Sequence, residues 1–250
     1  MESSINVKRS GSGLILATGV VGALGAFLMA VGDVILLGRP ISGPAFLATE
    51  MGRGNMIYLP QWRLALGSIL GVVVVPLQIV GFWQVLEALK PAGRWRSWPV
   101  FLIMAHMLIV GGAVHGTFMF VGTGLKTHHS LVEASGTGLP EMLAYFFSYQ
   151  TVLYLIAGVE LIVASSWFVV AVLSGKTAYP RWMAVLNPFV LVALTTLLGM
   201  AMPAPVGGYL APTQFNSGIL LFFVISTAVL LRNRAGLSPQ PLDSEHNERM

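Results

Sequence analysis

The chain has no cysteine and carries very little charge. Zero cysteines among 250 residues exclude disulfides, thiolate metal sites and cysteine nucleophiles. Asp, Glu, Lys and Arg make up 10% of the residues, whereas a soluble globular domain carries about a quarter. So few charges cannot cover a water-facing surface, and 55% of the residues are hydrophobic. The composition therefore predicts that lipid covers much of the protein.

Common catalytic and nucleotide-binding fingerprints are also missing. No P-loop, GxSxG, HExxH or dinucleotide motif occurs in a usable context. The formal net charge is +4, but the basic residues stand singly or in small groups beside apolar segments instead of forming a stripe. We therefore expect no nucleic-acid partner, no metal ion and no cofactor.

Six hydrophobic stretches fill most of the chain. A bilayer core needs about 20 apolar residues in a helix, and the stretches cover residues 13–37, 60–88, 98–123, 145–174, 181–202 and 214–231. We predict an all-α fold, a polytopic membrane helix bundle of about six transmembrane helices over residues 13–231. Residues 1–12 are then a cytoplasmic N-terminal segment. Residues 232–250 are polar and contain Pro239 and Pro241, which predicts a disordered cytoplasmic tail.

The basic residues at the ends of these stretches predict the orientation of the chain. Nine lie on one side of the membrane and four on the other; these are Lys8, Arg9, Lys90, Arg94, Arg96, Lys176, Arg181, Arg232 and Arg234, against Arg39, Arg53, Arg63 and Lys126. The positive-inside rule then places both termini in the cytoplasm, in agreement with an even number of spans. The lipid bilayer is thus the first expected partner, and a homo-oligomer is left open.

The fourth stretch leaves one question of architecture open. A helix that begins at Pro140, a good first-turn residue, would run about 35 residues or about 50 Å. The hydrocarbon core is only about 30 Å thick. Either this helix projects from the membrane, or residues 140–147 form a seventh, interfacial helix. Pro76 and Pro188 are expected to interrupt the second and fifth helices, because proline removes a helical hydrogen bond.

Ionisable residues inside the hydrophobic stretches are the candidates for chemistry, because such groups are costly in lipid. Glu160 lies near the middle of the fourth stretch with no basic residue nearby in sequence, so it either pairs across helices or binds a proton. Asp33 closes the first stretch, where a structural pair with Arg63 is the alternative to catalysis. His115 lies among glycines that let a helix or a ligand approach. We predict Glu160, Asp33 and His115 as the catalytic residues.

Polar residues nearer the helix edges, together with a second histidine, are predicted to bind the substrate: His106, Asn187, Arg63 and Gln78. His106 precedes His115 by nine residues, so the two point to opposite faces of one helix and cannot easily share a metal ion. For Asn187, a helix cap is the alternative to a substrate hydrogen bond. The adjacent pair His128–His129 is expected in a solvated outer loop, without a carboxylate at helical spacing.

Four features combine in a recognisable way. They are the run Gly32–Asp33–Val–Ile–Leu–Leu–Gly38, the stretch Gly81–Phe–Trp–Gln84, the glycine-flanked His115, and Tyr179–Pro–Arg–Trp–Met–Ala–Val–Leu–Asn–Pro188. Together they resemble a bacterial family of multi-pass membrane proteins of unknown function, over residues 13 to 231. The resemblance implies the same architecture, in a bacterial inner membrane, and implies no activity. In architecture alone, the chain is also similar to sterol-isomerase-type and integral-membrane terpene-cyclase proteins.

Three functions are compatible with these features. The first is a membrane-embedded enzyme that isomerises or cyclises a lipophilic small molecule such as an isoprenoid or another lipid. Asp33 or Glu160 would protonate an alkene or a leaving group, and His115 would accept or relay the proton. The second is a proton-coupled transporter of small solutes, and the third a non-catalytic membrane subunit. We favour the enzyme, because a few titratable groups suffice for it and so small a bundle has no obvious pair of gates.

Overall fold

The computed structural model describes residues 2–49 and 52–235, and all regular structure in these ranges is helical. The α-helices are α1 (Glu2–Leu37), α2 (Gly43–Ala48), α3 (Gln61–Val73), α4 (Val75–Leu89), α5 (Arg94–Ser135), α6 (Pro140–Leu173), α7 (Pro188–Ala201) and α8 (Gly207–Ala235). Short 3-10 helices cover Arg53–Tyr58, Lys90–Ala92 and Arg181–Ala184. The predicted all-α class is confirmed. Most of the predicted tail, residues 236–250, lies outside the described residues.

Within the described ranges, five helical stretches are long and apolar enough to cross a membrane: Gly13–Leu37, Gln61–Ala92, Arg94–Ser135, Pro140–Leu173 and Gly207–Asn233. They correspond to the first four predicted stretches and the last. The fifth predicted stretch is different, because α7 has only 14 residues. At 1.5 Å per residue it rises about 21 Å, which is less than the core thickness of about 30 Å. The protein is a membrane-spanning helical bundle with one short member.

The two prolines act differently on their helices. Pro76 lies in the first turn of α4, just after α3 has ended at Val73, so the second span is interrupted as expected. Pro188 instead begins α7, and the expected interruption of a helix there is wrong. The reason is local: Asn187 caps α7 and proline is well suited to a first helical position, where no backbone hydrogen bond is lost.

Two further expectations are corrected around the turn between α5 and α6. Helix α5 continues to Ser135, so His128 and His129 lie on a helix and not in a loop. Glu133 does follow His129 at helical spacing, and its Oε1 lies 3.4 Å from His129 Nδ1. Helix α6 is unbroken from Pro140 over 34 residues, about 51 Å. The alternative of a separate helix at 140–147 is therefore wrong, and α6 is long enough to project from a bilayer.

Helix α1 is central and contacts α3, α4 and α8, whereas α5 contacts α3, α4 and α6. Glycines allow some of these helices to approach closely. A Cβ added to Gly22 would lie 2.5 Å from Gly81 Cα, so α1 and α4 touch backbone to backbone. By contrast, α6 packs mainly on α5 and only lightly on α7. This uneven packing leaves space between α6 and the α7–α8 pair.

Candidate functional site

A cavity of about 320 Å³ lies between α1, α5, α6, α7 and α8. This volume is at the small end of the range for ligand pockets. Most of its wall is apolar, from residues such as Met29, Met107, Leu108, Val114, Leu161, Val192 and Phe215. The polar lining comes from Asp33, His115, Tyr154, Thr196, Gln214 and Asn216. An apolar pocket with a few convergent polar groups is the usual form of a small-molecule site.

Two of the predicted catalytic residues meet at this cavity. Asp33 Oδ1 lies 3.3 Å from His115 Nε2, and both side chains are buried. Asn216 Nδ2 donates a hydrogen bond of 2.8 Å to the other oxygen, Asp33 Oδ2. Gln78 Nε2 in turn donates to Asn216 Oδ1 over 3.4 Å. Helices α1, α4, α5 and α8 thus each contribute one side chain to a continuous polar network in an apolar interior.

Helix α3 makes the room that the histidine ring needs. A Cβ added to Gly71 would lie 2.2 Å from both Cγ and Nδ1 of His115, so only glycine lets the ring lie against this helix. Phe118, one turn along α5, also contacts the ring in an edge-to-face arrangement, with ring centroids 5.9 Å apart. Nδ1 is buried and has no hydrogen-bond partner among the described residues. The ring is therefore held by packing on one edge and faces Asp33 with the other.

The Asp33–His115 pair can hold one proton between its two members. Either the carboxyl O–H donates to Nε2, or Nε2–H donates to the carboxylate. In surroundings that exclude water, interconversion of these two forms moves a proton over a short distance at the cavity wall. Such a pair can both give a proton to a bound molecule and take one back, which is the requirement for acid–base catalysis.

The mouth of the cavity lies beside the middle of α6. Tyr154 is 40% exposed, and Gly158, one turn further along, is exposed as well. A Cβ added to Gly158 or to Gly111 across the cavity would meet nothing within 4 Å, so space is open at both positions. Gly158 stands about 22 Å along the helix axis from Leu173. Gly158 therefore lies well inside the apolar span Pro140–Leu173, and we expect the mouth to face lipid.

The third predicted catalytic residue lies elsewhere. Ala157, Gly158 and Leu161 line the cavity, but Glu160 points away from it. Its Oε1 lies 2.5 Å from Nδ1 of His106, whose side chain is 61% exposed. The structure therefore separates two histidine–carboxyl pairs, one at the cavity and one that joins α5 to α6 on the outside. His106 and His115 lie on opposite sides of α5, as their spacing predicts.

Of the other predicted substrate-binding residues, Gln78 belongs to the cavity network and two belong to helix ends. Arg63 donates from Nε to Ile35 O at 2.7 Å and from Nη2 to Val34 O at 2.8 Å, rather than to Asp33. It thus ties the end of α1 to the start of α3. Asn187 Oδ1 accepts from Val190 N at 3.1 Å and its Nδ2 donates to Ala184 O at 2.9 Å. Neither Arg63 nor Asn187 lines the cavity.

The sequence reasoning missed several polar residues of the cavity: Tyr154, Thr196, Gln214 and Asn216. All four are neutral at ordinary pH, so a search for ionisable groups in lipid passes over them. Gln214 and Asn216 also stand in the polar run Thr213–Ser217, which looks like the entry of a membrane helix. The sequence does contain a usable signal, because two amides two residues apart at the start of the predicted stretch 214–231 need hydrogen-bond partners in lipid.

Comparison with known proteins gives a family and no activity. No curated protein and no solved structure matches the chain. A family model described as a family of unknown function, DUF6796, matches residues 4–233, which is most of the chain. This match confirms the predicted likeness to a family without an assigned activity. The chain therefore belongs to the family DUF6796.

Proposed function

We propose that the protein is a membrane-embedded enzyme that carries out acid–base chemistry, an isomerisation or a cyclisation, on a lipophilic small molecule. One observation carries the proposal: Asp33 and His115 lie 3.3 Å apart at the wall of an apolar cavity. The mouth at Tyr154 and Gly158 lies on the apolar span Pro140–Leu173, which supports entry from the hydrocarbon core. A substrate dissolved in the bilayer would thus reach the pair without passing through water.

The pair supplies both halves of a double-bond shift. The Asp33 carboxyl group donates its proton to one carbon of an alkene. Asp33 is then a carboxylate, and the other alkene carbon of the substrate is a carbocation. The carbon on the far side of the cation then loses a proton to the Asp33–His115 pair. This step forms the shifted double bond and restores the original protonation of the pair. Asn216 orients the carboxyl group through its bond to Asp33 Oδ2. No net proton is consumed.

The apolar wall contributes to this chemistry in two ways. It excludes water, which would otherwise capture a carbocation. It also leaves the cation few neighbours except the carboxylate that has just formed, and an opposite charge is stabilising at short range in a medium of low dielectric constant. An intramolecular attack by a second double bond on the same cation would give a cyclic product instead.

Deuterium transfer tests the proposal even while the substrate is unidentified. The full chain in lipid nanodiscs is incubated in D₂O with lipophiles extracted from the expression host, and the products are analysed by mass spectrometry. The mechanism predicts carbon-bound deuterium in one lipid class, because the donated proton comes from a group that exchanges with solvent. Asp33→Asn and His115→Gln should each lower the labelling at least about a hundredfold, the usual contribution of a general acid or base.

Two more variants separate a catalytic effect from a structural one. Thr227→Val removes a partly buried hydrogen bond of 3.0 Å to Gln84, whose two residues do not line the cavity, and should label like the unmodified chain. Glu160→Gln alters the external histidine–carboxyl pair and should also retain labelling. Loss of labelling in a folded Glu160→Gln variant would instead support the predicted catalytic role of Glu160. If the Asp33→Asn and His115→Gln variants incorporate as much deuterium as the unmodified chain, the proposal is wrong.

A further inference from the structure

We infer that the cavity binds an uncharged lipophilic alcohol, whose hydroxyl group donates a hydrogen bond to Gln214 Oε1. The inference rests on the proposed function for the choice of site, and adds the chemical class of the ligand. It depends on three properties of the cavity: an unused hydrogen-bond acceptor, the absence of cationic groups from its described lining, and an opening towards lipid.

Gln214 presents the unused acceptor. Its backbone is fixed, because Thr195 Oγ1 on α7 donates to Gln214 O over 2.5 Å. Gln214 is one of the residues that line the cavity, and its Oε1 is buried without a hydrogen-bond partner among the described residues. A buried carbonyl oxygen that lacks a donor is costly. A ligand with a donor group would remove this cost when it binds.

Three other polar groups at the cavity wall, the Asp33 carboxyl, the Asn216 amide and His115 Nε2, are already engaged with one another. Asp33 accepts from Asn216 and faces His115. Asn216 Oδ1 accepts from Gln78. The amide groups of this network are therefore held in place before any ligand arrives, whereas Gln214 Oε1 still lacks a donor. This unpaired amide oxygen favours a ligand that carries a hydrogen-bond donor.

Charge narrows the ligand further. No Lys or Arg occurs among the described residues that line the cavity. A carboxylate or phosphate would lie in an apolar space beside Asp33 without a positive charge to pair with, which is strongly unfavourable. An ammonium group would have to displace Asn216 and His115 from Asp33. An alcohol needs neither change, and its apolar body suits both the wall and the lipid-facing mouth.

Matched amphiphiles test this inference by binding alone. Decanol and decyl methyl ether share an apolar chain, but only decanol can donate a hydrogen bond. Each is titrated against the full chain in nanodiscs, and thermal stability is followed as a function of the amount of probe in the lipid. Gly158→Leu, which places a side chain in the mouth, gives the background from bilayer effects. Decanol should bind about two- to tenfold more tightly than the ether, the effect of one hydrogen bond.

Removal of the acceptor should abolish this preference. Gln214→Leu and Gln214→Met keep the size of the side chain, and either one that folds should bind both probes equally. Equal binding of the two probes to the unmodified chain would overturn the inference, and so would an undiminished preference in the Gln214 variants. Tighter binding of decanoate or decylamine than of decanol would contradict the inference that the ligand is uncharged. None of these results depends on turnover, so the inference and the proposed function can fail separately.

Discussion

At the scale of single residues, the position of His115 depends on a side chain that is missing from the neighbouring helix. Real Cβ atoms do not approach other atoms to 2.2 Å, the distance that a Cβ on Gly71 would have from the ring. The ring therefore occupies the space that any larger residue on α3 would fill. Gly71 is in this sense part of the site although it provides no functional group.

Gly71→Ala should displace the ring and weaken its contact with Asp33. Overpacking of this kind costs about 1–3 kcal/mol, and deuterium labelling of the substrate should fall with the loss of the pair. Gly116→Ala is the matched control, because its added Cβ would meet only Val72 Cγ2 at an ordinary 3.5 Å. Melting temperature and labelling are measured for both variants. If Gly71→Ala and Gly116→Ala have the same melting temperature and labelling, α3 does not confine the His115 ring.

The two ionisable residues of the cavity could be predicted from the sequence, but their pairing could not, and the reason for the first is energetic. A carboxyl group and an imidazole in a lipid-soluble stretch are conspicuous because they are costly there, so Asp33 and His115 stood out. The pairing could not be predicted, because it depends on how α1, α5 and α6 are rotated against one another. Glu160 stood out for the same reason as Asp33, yet α6 turns it towards His106.

At the scale of secondary-structure elements, α7 shows what a hydropathy pattern leaves out. The apolar stretch 181–202 has the composition of a full span, but its first part is a 3-10 helix, Arg181–Ala184, and the α-helix begins only at Pro188. An average over apolar residues does not register a change of backbone conformation. The same average finds the first four spans and the last, because helix covers those stretches almost completely, with one break at Val74 in the second.

Asn187→Ala should destabilise the protein by about 1 kcal/mol, because it removes the cap of α7. Asn187→Ser retains a capping oxygen and should stay close to the unmodified chain in melting temperature. Decanol binding should be the same in both variants, since Asn187 does not line the cavity. A stable Asn187→Ser variant with weakened decanol binding would instead support the predicted role in substrate binding.

At the scale of the whole molecule, contacts along α1 and α8 show that these helices run antiparallel. Gly19, at the middle of α1, lies against Thr227 in the second half of α8, whereas Asp33, near the end of α1, bonds to Asn216 in the first half of α8. The beginning of α1 and the end of α8 therefore lie at the same end of the bundle. Asn233 Nδ2 also donates to Ala178 O, which brings the connection between α6 and α7 to that end.

The short helix α7 must then carry the chain back across the bundle. Its far end reaches the start of α8, where Gly43 N donates to Met202 O at 3.0 Å beside α2. Over the described residues, 2–49 and 52–235, the chain thus passes six times between the two ends, and five of these passes have the length of a full span. A bilayer of about 30 Å would have to thin locally or admit the flanking residues at the short pass.

An even number of passes predicts that reporters at the two termini behave alike. Nine basic residues flank the apolar stretches at the end of the bundle where α1 begins and α8 ends, and four flank them at the other end. Both termini are therefore expected in the cytoplasm. Green fluorescent protein fused at either terminus should fluoresce, and alkaline phosphatase should be inactive there. Phosphatase inserted in the turn 136–139 between α5 and α6 should be active. Opposite signals from the two termini would mean that α7 does not complete its pass, and the arrangement of α1 beside α8 would then have to change in the membrane.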